Sequence, residues 1–260
     1  MPKQLKDKKV LITREKQQAK VFAEKVLRYG GIPVEVPLLK ITCKDRAEDR
    51  WAFQSLSKYK WIFFTSANGV HYFFQLAKKY HVHQNLFKNI KLAAVGHKTE
   101  KALETHGLTA DFIPTIYNAA HMADEFFMRF PDEDPFLLVR GNRSRNVLPE
   151  AFSKIGATFD MIEVYETVYN EEATEDLNKA LVEHQFDFIT FTSPSTVDAF
   201  MKLQKDRLAI EKSGRTIFVC IGSTTEQRAK EVGFHHTLSP REFTIEGMLD
   251  CMQNYAVTEG

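Results

Sequence analysis

An internal duplication with a constant spacing constrains the fold more than any other feature of this sequence. Arg14 and Arg140 are 126 positions apart, and Gly96 and Gly222 have the same separation. The pairs Gly30 and Gly156, Gly107 and Gly233, Pro114 and Pro240, and Met122 and Met248 belong to the same series, and the phrases FTSANGV (64–70) and FTSPSTV (191–197) repeat one position later, 127 residues apart. A register kept over the whole chain predicts two related copies, each the size of a small domain rather than of a solenoid repeat.

Each copy alternates short apolar runs with amphipathic helical patterns. The predicted strands of the first copy are KVLITR, VEVPLL, WIFFTS and KLAAVG, and its predicted helices cover 15–29, 68–79 and 98–105. The second copy repeats this order with PFLLVR, FDMIEVY, FDFITFTS and TIFVCIG, and with helices over 147–155, 196–204 and 225–232. Alternating strands and helices of these lengths predict two doubly wound α/β domains with parallel sheets.

The composition excludes several classes of partner. Lys and Arg total 35 against 34 Asp and Glu, which leaves no charge excess to hold a nucleic acid or an acidic membrane. The run WIFF is too short to span a bilayer, and the first residues lack the apolar segment of a signal peptide. Three cysteines without a CxxC motif indicate free thiols in a reducing compartment. We therefore expect a cytoplasmic protein with neither a nucleic-acid nor a membrane partner.

Six polar turns follow predicted strands and precede helices. Because helix N-termini at this edge of a parallel sheet present free N–H groups, such turns suit carboxylates or phosphates. Ser, Thr and Asn are also ordinary N-caps, which explains any one turn taken alone. Six turns of the same chemistry in two copies favour a cleft for a polyanionic ligand. The candidate binding residues are Arg14, Thr65, Ser66, Asn68, Gly96, Lys98, Thr99, Arg140, Gly141, Asn142, Ser193, Ser195, Gly222, Thr224 and Thr225.

Other chemistries lack their motifs. Neither GxGxxG nor GxxxxGK[ST] is present, and GxSxG is also missing. His81 with His83, and His235 with His236, do not have the spacing of known zinc sites. We expect no metal and no cofactor.

The order of the motifs resembles the uroporphyrinogen-III synthase family. The resemblance rests on FTSANGV with AVGHKT, on LVRGNRSRNVLPEAFSKIGATFDMIEVYET, and on FTSPSTV with IGSTTEQRAKEVG, and it covers essentially the whole chain. Glu100 and Glu226 depart from the family, which more often has a small residue there, and the Gly-Asn-Arg-Ser-Arg loop is more basic. The resemblance implies a cofactor-free lyase that closes linear hydroxymethylbilane into uroporphyrinogen III, with inversion of the last pyrrole and loss of water.

The resemblance also implies how the domains are composed. It predicts two flavodoxin-like domains joined by a two-stranded β-ladder, with the substrate in the cleft between them. Domain one would contain 1–38 and 172–260, and domain two would contain 40–170, because the first strand and helix of each copy complete the other copy's sheet. The ladder would use 37–41 and 164–168. We expect a monomer.

Tyr165 is the candidate catalytic residue. The duplication places Leu39 opposite it, so the repeat itself does not require a phenol at this position. In the family, a tyrosine at this point of the VYxT stretch faces the cleft, and we hypothesise that it donates a proton to the leaving hydroxyl. The alternative is that Tyr165 only packs on the ladder. A second function also stays open, namely a non-catalytic cytosolic sensor that binds a tetrapyrrole.

Overall fold

The chain forms two α/β units, each with its own five-stranded sheet. The structure, a computed structural model, describes residues 5–131, 133–205 and 215–258. Unit 1 combines the segment up to Lys40 with the segment from Val168 onward, and unit 2 is Ile41–Thr167. Because unit 1 takes segments from both ends of the chain, the units do not coincide with the two sequence copies.

The strands and helices alternate along the chain. The strands are β1 (Lys9–Ile12), β2 (Ile32–Glu35), β3 (Leu39–Cys43), β4 (Trp61–Phe64), β5 (Lys91–Ala94), β6 (Phe136–Gly141), β7 (Phe159–Tyr169), β8 (Phe188–Phe191), β9 (Ile217–Cys220) and β10 (Thr237–Leu238). The helices are α1 (Lys16–Arg28), α2 (Arg50–Gln54), α3 (Ala67–Lys79), α4 (His97–Glu104), α5 (Ala119–Arg129), α6 (Val147–Lys154), α7 (Thr174–Glu183), α8 (Pro194–Leu203), α9 (Ser223–Glu231) and α10 (Ile245–Thr258). Short 3₁₀ turns cover Ala47–Asp49, Leu56–Lys58, Gln84–Asn89 and Glu171–Ala173.

In unit 1 the sheet order is β10-β9-β8-β1-β2. Each neighbouring pair in this sheet is parallel, so the carboxyl ends of its strands meet at one edge. Strand β1 of the first copy lies beside β8 of the second copy. Two buried hydroxyls join them, since Thr13 donates to the carbonyl of Thr190 (2.6 Å) and Thr190 donates to that of Leu11 (2.9 Å). We call the turns after β1, β8 and β9 the unit 1 edge.

In unit 2 the sheet order is β3-β7-β6-β4-β5. Strands β5, β4, β6 and β7 are parallel, and β6 of the second copy lies beside β4 of the first. Strands β3 and β7 run in opposite directions, because the Lys44 amide donates to Val164 and the Asn170 amide donates to Leu38, both at 2.9 Å. The chain passes between the units within these two strands. We call the turns after β4, β5 and β6 the unit 2 edge.

Alternation along the strands gives each sheet a core on both faces. In β4, Ile62 and Phe64 pack with α2, α3 and α4, whereas Trp61 and Phe63 pack with α5 and α6. In unit 1, Leu11 packs with α7, α8 and α9, while its neighbours in β1 pack with α1 and α10. The doubly wound α/β class predicted from the sequence is therefore confirmed.

One strand prediction was wrong. VEVPLL is not a continuous strand, because β2 ends at Glu35 and β3 begins at Leu39. Pro37 lies between them, and proline has no N–H to donate to a ladder. Strand β3 therefore covers Leu39–Cys43 rather than 37–41, and β7 extends from Phe159 to Tyr169 as one strand.

Candidate functional site

Two helices begin at the unit 2 edge, and a third, α5, begins beside it, where Asn118 lines one cavity with Thr65 and Arg140. Ser66 caps α3, where its Oγ accepts the Gly69 N–H (3.0 Å), and Gly96 occupies the cap position of α4. Asn118 caps α5, and its Oδ1 accepts the His121 N–H (2.9 Å). The first amides of a helix have no partner within it, and the helix dipole gives them a partial positive charge. Such amides are a favourable place for an anion.

The unit 1 edge repeats this arrangement. Ser193 caps α8, and its Oγ accepts the Thr196 N–H (3.2 Å) while the Thr196 hydroxyl accepts the Ser193 N–H (3.2 Å). Gly222 occupies the cap position of α9. At α1 the cap is Glu15, whose carboxylate accepts the Gln17 N–H (3.2 Å). At this third N-terminus a carboxylate of the chain itself already binds one of the free amides.

The candidate residues in the first helical turns fall into two groups. Asn68, Lys98, Ser195 and Thr224 occupy the second position of their helices and are partly or fully exposed. Thr99 and Thr225 come one residue later, and only 3% and 1% of their surfaces are exposed. A ligand at either edge would therefore meet Lys98 or Thr224 rather than the hydroxyls of Thr99 and Thr225. Thr65 is half-buried at the end of β4.

The turn after β6 differs from its prediction. Arg140 and Gly141 still belong to β6, and α6 begins only at Val147, so Arg140, Gly141 and Asn142 do not open a helix. The Arg140 guanidinium is buried and turns toward its own loop. It donates to the Asn146 Oδ1 (3.0 Å) and to the carbonyl of Ser144. The prediction failed because a five-residue loop separates this strand from its helix.

Arg140 also lines a cavity of about 500 Å³ within unit 2. The cavity lies beside the N-terminus of α5, and its lining includes Thr65, Val95, Asn118, Ala119, Ala120, Leu138, Ser144, Arg145, Val147 and Leu148. Among the described residues, the buried Nε of Arg140 has no hydrogen-bond partner. An unpaired donor of a buried cation next to free helix amides suits an anionic group entering from the edge.

Tyr165 lies at the same edge, against the end of β6. Its ring covers Gly141 so closely that a Cβ built on this glycine would come within 2.3 Å of the ring atoms. The Tyr165 and Ser66 hydroxyl oxygens are 3.0 Å apart. The ring also stacks on Tyr72 with a centroid distance of 6.0 Å. The ring thus packs against the unit 2 core, and its hydroxyl lies beside the N-terminus of α3.

Asn142 holds the strand that carries Tyr165. The Asn142 backbone N–H donates to the Tyr165 carbonyl (3.2 Å), and the Asn142 side-chain Oδ1 accepts the Thr167 N–H (3.0 Å). The pairing of β6 with β7 shifts its register between Arg140 and Gly141, where this contact begins. Asn142 therefore positions the backbone on both sides of Glu166.

Arg14 occupies the corresponding place at the unit 1 edge. It follows the buried Thr13 and hydrogen-bonds the side chain of Gln18, one turn into α1. Burial lowers the pKa of the Arg14 guanidinium, and the nearby Glu15 acts in the opposite direction. Arg14 is only half-buried, so a larger part of its surface is open than is the case for Arg140.

Sequence reasoning did not single out Asn118 or Ser144. Asn118 has an equivalent in Thr244, whose Oγ1 accepts the Gly247 N–H (3.0 Å) at the start of α10. Both caps follow the 126-residue spacing, so the duplication could have identified them. Ser144 accepts the Gly141 N–H (3.1 Å) through its side chain, a loop contact that the pattern does not encode.

Two exclusions hold for the described part of the chain. None of its helices is long and apolar enough to cross a membrane. No group of three or more His, Cys, Asp or Glu side chains in it is placed to hold a metal ion.

Comparison with known proteins extends these observations. The family model described as uroporphyrinogen-III synthase HemD matches residues 20–250. The uroporphyrinogen-III synthase of Chlorobaculum parvum is 31% identical over 243 residues, which cover 91% of this chain and 94% of that protein. The porphyrin biosynthesis protein HemD of Ruminiclostridium josui is 30% identical over 251 residues and 96% of this chain, but the chain spans only 49% of its length.

A solved structure shows the same fold. The crystal structure of the uroporphyrinogen-III synthetase from Helicobacter pylori matches with a TM-score of 0.60 at 17% identity, over 98% of this chain and 100% of that one. The family model covers most of the sequence, and the similarity to the Chlorobaculum enzyme extends over nearly the full length of both chains. The chain belongs to the uroporphyrinogen-III synthase family.

Proposed function

We propose that the chain performs its family's reaction with Tyr165 as general acid and with the helix N-termini of both edges as carboxylate-binding groups. The family consists of cyclising lyases of tetrapyrrole biosynthesis that need no cofactor. Their substrate, hydroxymethylbilane, is a linear tetrapyrrole with several acidic side chains. The observation that carries the proposal is the Tyr165 hydroxyl, held 3.0 Å from the Ser66 hydroxyl that caps α3.

The first chemical step is loss of the terminal hydroxyl. The electron pair of the adjacent pyrrole nitrogen expels the hydroxyl as the C–O bond breaks. The leaving oxygen takes the phenolic proton of Tyr165 and departs as water. The resulting charge on the Tyr165 oxygen is stabilised when the Ser66 hydroxyl donates to it, and Ser66 is itself oriented by the Gly69 N–H. The proton released when the ring closes then restores the phenol, so the balance is loss of one water.

The remaining task is positioning. The last pyrrole must react through its substituted carbon to give a spiro intermediate, which rearranges to the inverted ring. Holding the carboxylates of a flexible chain at fixed amides brings the reacting carbons together, and such positioning can supply about 7–11 kcal/mol of a barrier. Arg14, Arg140 and Lys98 add charge to those amides, and Arg143 is exposed on the loop after β6.

The proposal is tested with Tyr165→Phe in a product-isomer assay. Hydroxymethylbilane is converted with and without protein, the products are oxidised, and the type I and type III porphyrins are separated by chromatography. General acids contribute about 10²–10⁴-fold, so kcat should fall by about 10²-fold or more while KM changes by less than about 3-fold. Tyr169→Phe is the matched control, since this tyrosine lies on the same strand and packs against the unit 1 core.

Either result is decisive. Unchanged kcat in Tyr165→Phe would remove the acid role and leave a packing role on the ladder. If the wild-type chain bound the substrate but gave no type III product, the chain would be a sensor, the alternative that the family match does not favour.

We also propose that the chain acts as a monomer in the cytoplasm and binds no nucleic acid. The proposal is supported by a net charge of +1 and by the free thiols of Cys43, Cys220 and Cys251. Burial raises the pKa of Cys220 to about 12, which keeps this thiol protonated. Light scattering after size exclusion should give the mass of one chain, and a mass of two chains would contradict the proposal.

A further inference from the structure

Each unit exposes one aromatic ring at its edge, and the two rings occupy equivalent positions. Tyr117 is 55% exposed in unit 2 and Phe243 is 62% exposed in unit 1. The two residues are separated by the repeat spacing of 126. Both directly precede a helix cap, Asn118 for α5 and Thr244 for α10. The duplication has therefore kept an aromatic residue at an exposed place in both copies.

Both rings lie against the glycine that opens the neighbouring helix. A Cβ built on Gly96 would come within 3.0 Å of Tyr117, and one built on Gly222 would come within 3.0 Å of the Phe243 ring. Both glycines have extended backbones, with φ of 174° and −173°, that any residue adopts. They are thus needed for the space that the ring occupies and not for their conformational freedom.

Local helix packing explains only part of this arrangement. An apolar residue before a cap often contacts the fourth residue of the helix, here the buried Met122 and Met248. Such a contact would bury the aromatic ring, yet more than half of each of these residues is open. Neither ring is among the side chains that pack against the cores of the two sheets.

The surroundings of each ring match the chemistry of an acidic pyrrole. Beside Tyr117 lie the first amides of α4 and α5, and beside Phe243 lie those of α9 and α10. An aromatic face next to anion-binding amides suits a flat, electron-rich ring that carries carboxylates. A pyrrole of the substrate has both features.

We propose that Tyr117 and Phe243 each stack on a pyrrole ring of the linear tetrapyrrole while the adjacent helix amides bind the carboxylates of that ring. The inference rests on the proposed function and adds the apolar half of substrate recognition to it. Tyr117 also contacts the His97 ring edge-on at 4.9 Å, and His97 is held by Glu100 (2.9 Å). This pair supports the Tyr117 ring from the α4 side.

The experiment compares Tyr117→Ala and Phe243→Ala with the conservative variants Tyr117→Phe and Phe243→Tyr. The KM and kcat for hydroxymethylbilane are measured. Equilibrium binding of uroporphyrinogen III is measured as well, under anaerobic conditions that prevent its oxidation. Aromatic contacts are worth about 0.5–1.5 kcal/mol, so each alanine variant should raise KM and Kd by about 2- to 12-fold. The conservative variants should keep KM and Kd near the wild-type values. In every variant kcat should stay within about 2-fold of the wild type, because a contact made equally in the ground state and the transition state changes KM and not kcat.

The control is Met128→Ala, which removes a side chain that is 80% exposed on α5 away from its N-terminus. If Tyr117→Ala and Phe243→Ala had unchanged KM and Kd but a lowered melting temperature, the inference would be overturned and only a packing role would remain for the two rings. Binding of uroporphyrinogen III is read independently of turnover. A failure of the catalytic proposal would thus appear as wild-type binding without type III product, and a failure of this inference as alanine variants that bind like the wild type.

Discussion

The two edges share their binding features and differ in the features suited to chemistry. Both have capped helix N-termini, a glycine under an exposed aromatic ring, and an arginine of the repeat, Arg14 after β1 in unit 1 and Arg140 at the end of β6 in unit 2. Among the residues that the structure describes, a hydrogen bond between two side-chain hydroxyls, those of Tyr165 and Ser66, is found only at the unit 2 edge. At the place equivalent to Tyr165 the first copy has Leu39, which is buried in the unit 1 core. The duplicated groups therefore fit binding, and the one that departs from the repeat fits proton transfer.

The first strands show the same contrast. In unit 1, Thr13 and Thr190 exchange buried hydrogen bonds between β1 and β8. Their counterparts in unit 2 are Val139 and Phe63, both fully buried and apolar. Unit 1 thus joins its two sequence copies partly through hydroxyls, and unit 2 joins them through apolar packing.

The largest expected effect comes from Gly141→Ala. The new methyl group would lie 2.3 Å from the Tyr165 ring, so the ring must move and the contact with Ser66 is lost. If Tyr165 is the acid, kcat should fall by about 10²-fold or more, as for loss of a general acid. Steady-state turnover with product-isomer analysis measures this.

The matched control for Gly141→Ala lies in the other copy. Glu15→Ala changes the equivalent position, where the side chain caps α1 and touches no tyrosine in the contacts described above. It should lower the free energy of unfolding by about 1 kcal/mol and leave kcat unchanged. Equal losses of kcat in both variants would contradict the asymmetry of the two edges.

An intermediate effect is expected from Arg140→Gln compared with Arg14→Gln. Arg140 is buried and holds its loop through Ser144 and Asn146, so its loss should lower the free energy of unfolding by about 1.5–3 kcal/mol. Arg14 is more open and bonds Gln18, and its loss should change stability by less than about 0.5 kcal/mol. Both variants should also raise KM. Urea unfolding measures the change in stability, and steady-state kinetics measures KM. A stable Arg140→Gln protein with unchanged KM would contradict both roles of this arginine.

The smallest effect is expected at the two serine caps, Ser66 in unit 2 and Ser193 in unit 1. Ser66→Ala and Ser193→Ala each remove an N-cap and should each cost about 1 kcal/mol in thermal or urea unfolding. Only Ser66 also contacts Tyr165, so only Ser66→Ala should lower kcat, by about 10-fold if the phenolate loses one charge-assisted hydrogen bond. A similar kcat for the two variants would argue against Ser66 as the partner of the acid.

Local patterns predicted most of the elements because those patterns depend on neighbouring residues. The runs KVLITR and WIFFTS and the helix over 147–155 lie where the structure has β1, β4 and α6. The extended VEVPLL failed because Pro37 interrupts the ladder. The turn at Arg140 failed because the length of the loop before α6 depends on how Arg140 itself folds back onto Ser144 and Asn146.

The candidate site was predictable in its chemistry and less so in its geometry. Helix-start residues such as Ser66, Ser193 and Lys98 could be named from spacing, and they lie at the two edges. The burial of Thr99 and Thr225 could not be predicted, because it depends on which side of each helix packs against the sheet. The role of Tyr165 and the substrate contacts remain predictions.

By itself, the sequence determined the duplication, the α/β class and the polar turns, because each is written in residue order and periodicity. The pairing of β1 with β8 and of β6 with β4 was expected from the family resemblance but not from local patterns, because strand pairing depends on contacts between distant segments. Tertiary structure alone decided that Tyr165 reaches Ser66 across Gly141 and that Arg140 lines a cavity. Those contacts join residues from different strands, and their distances are fixed only when the sheet has formed.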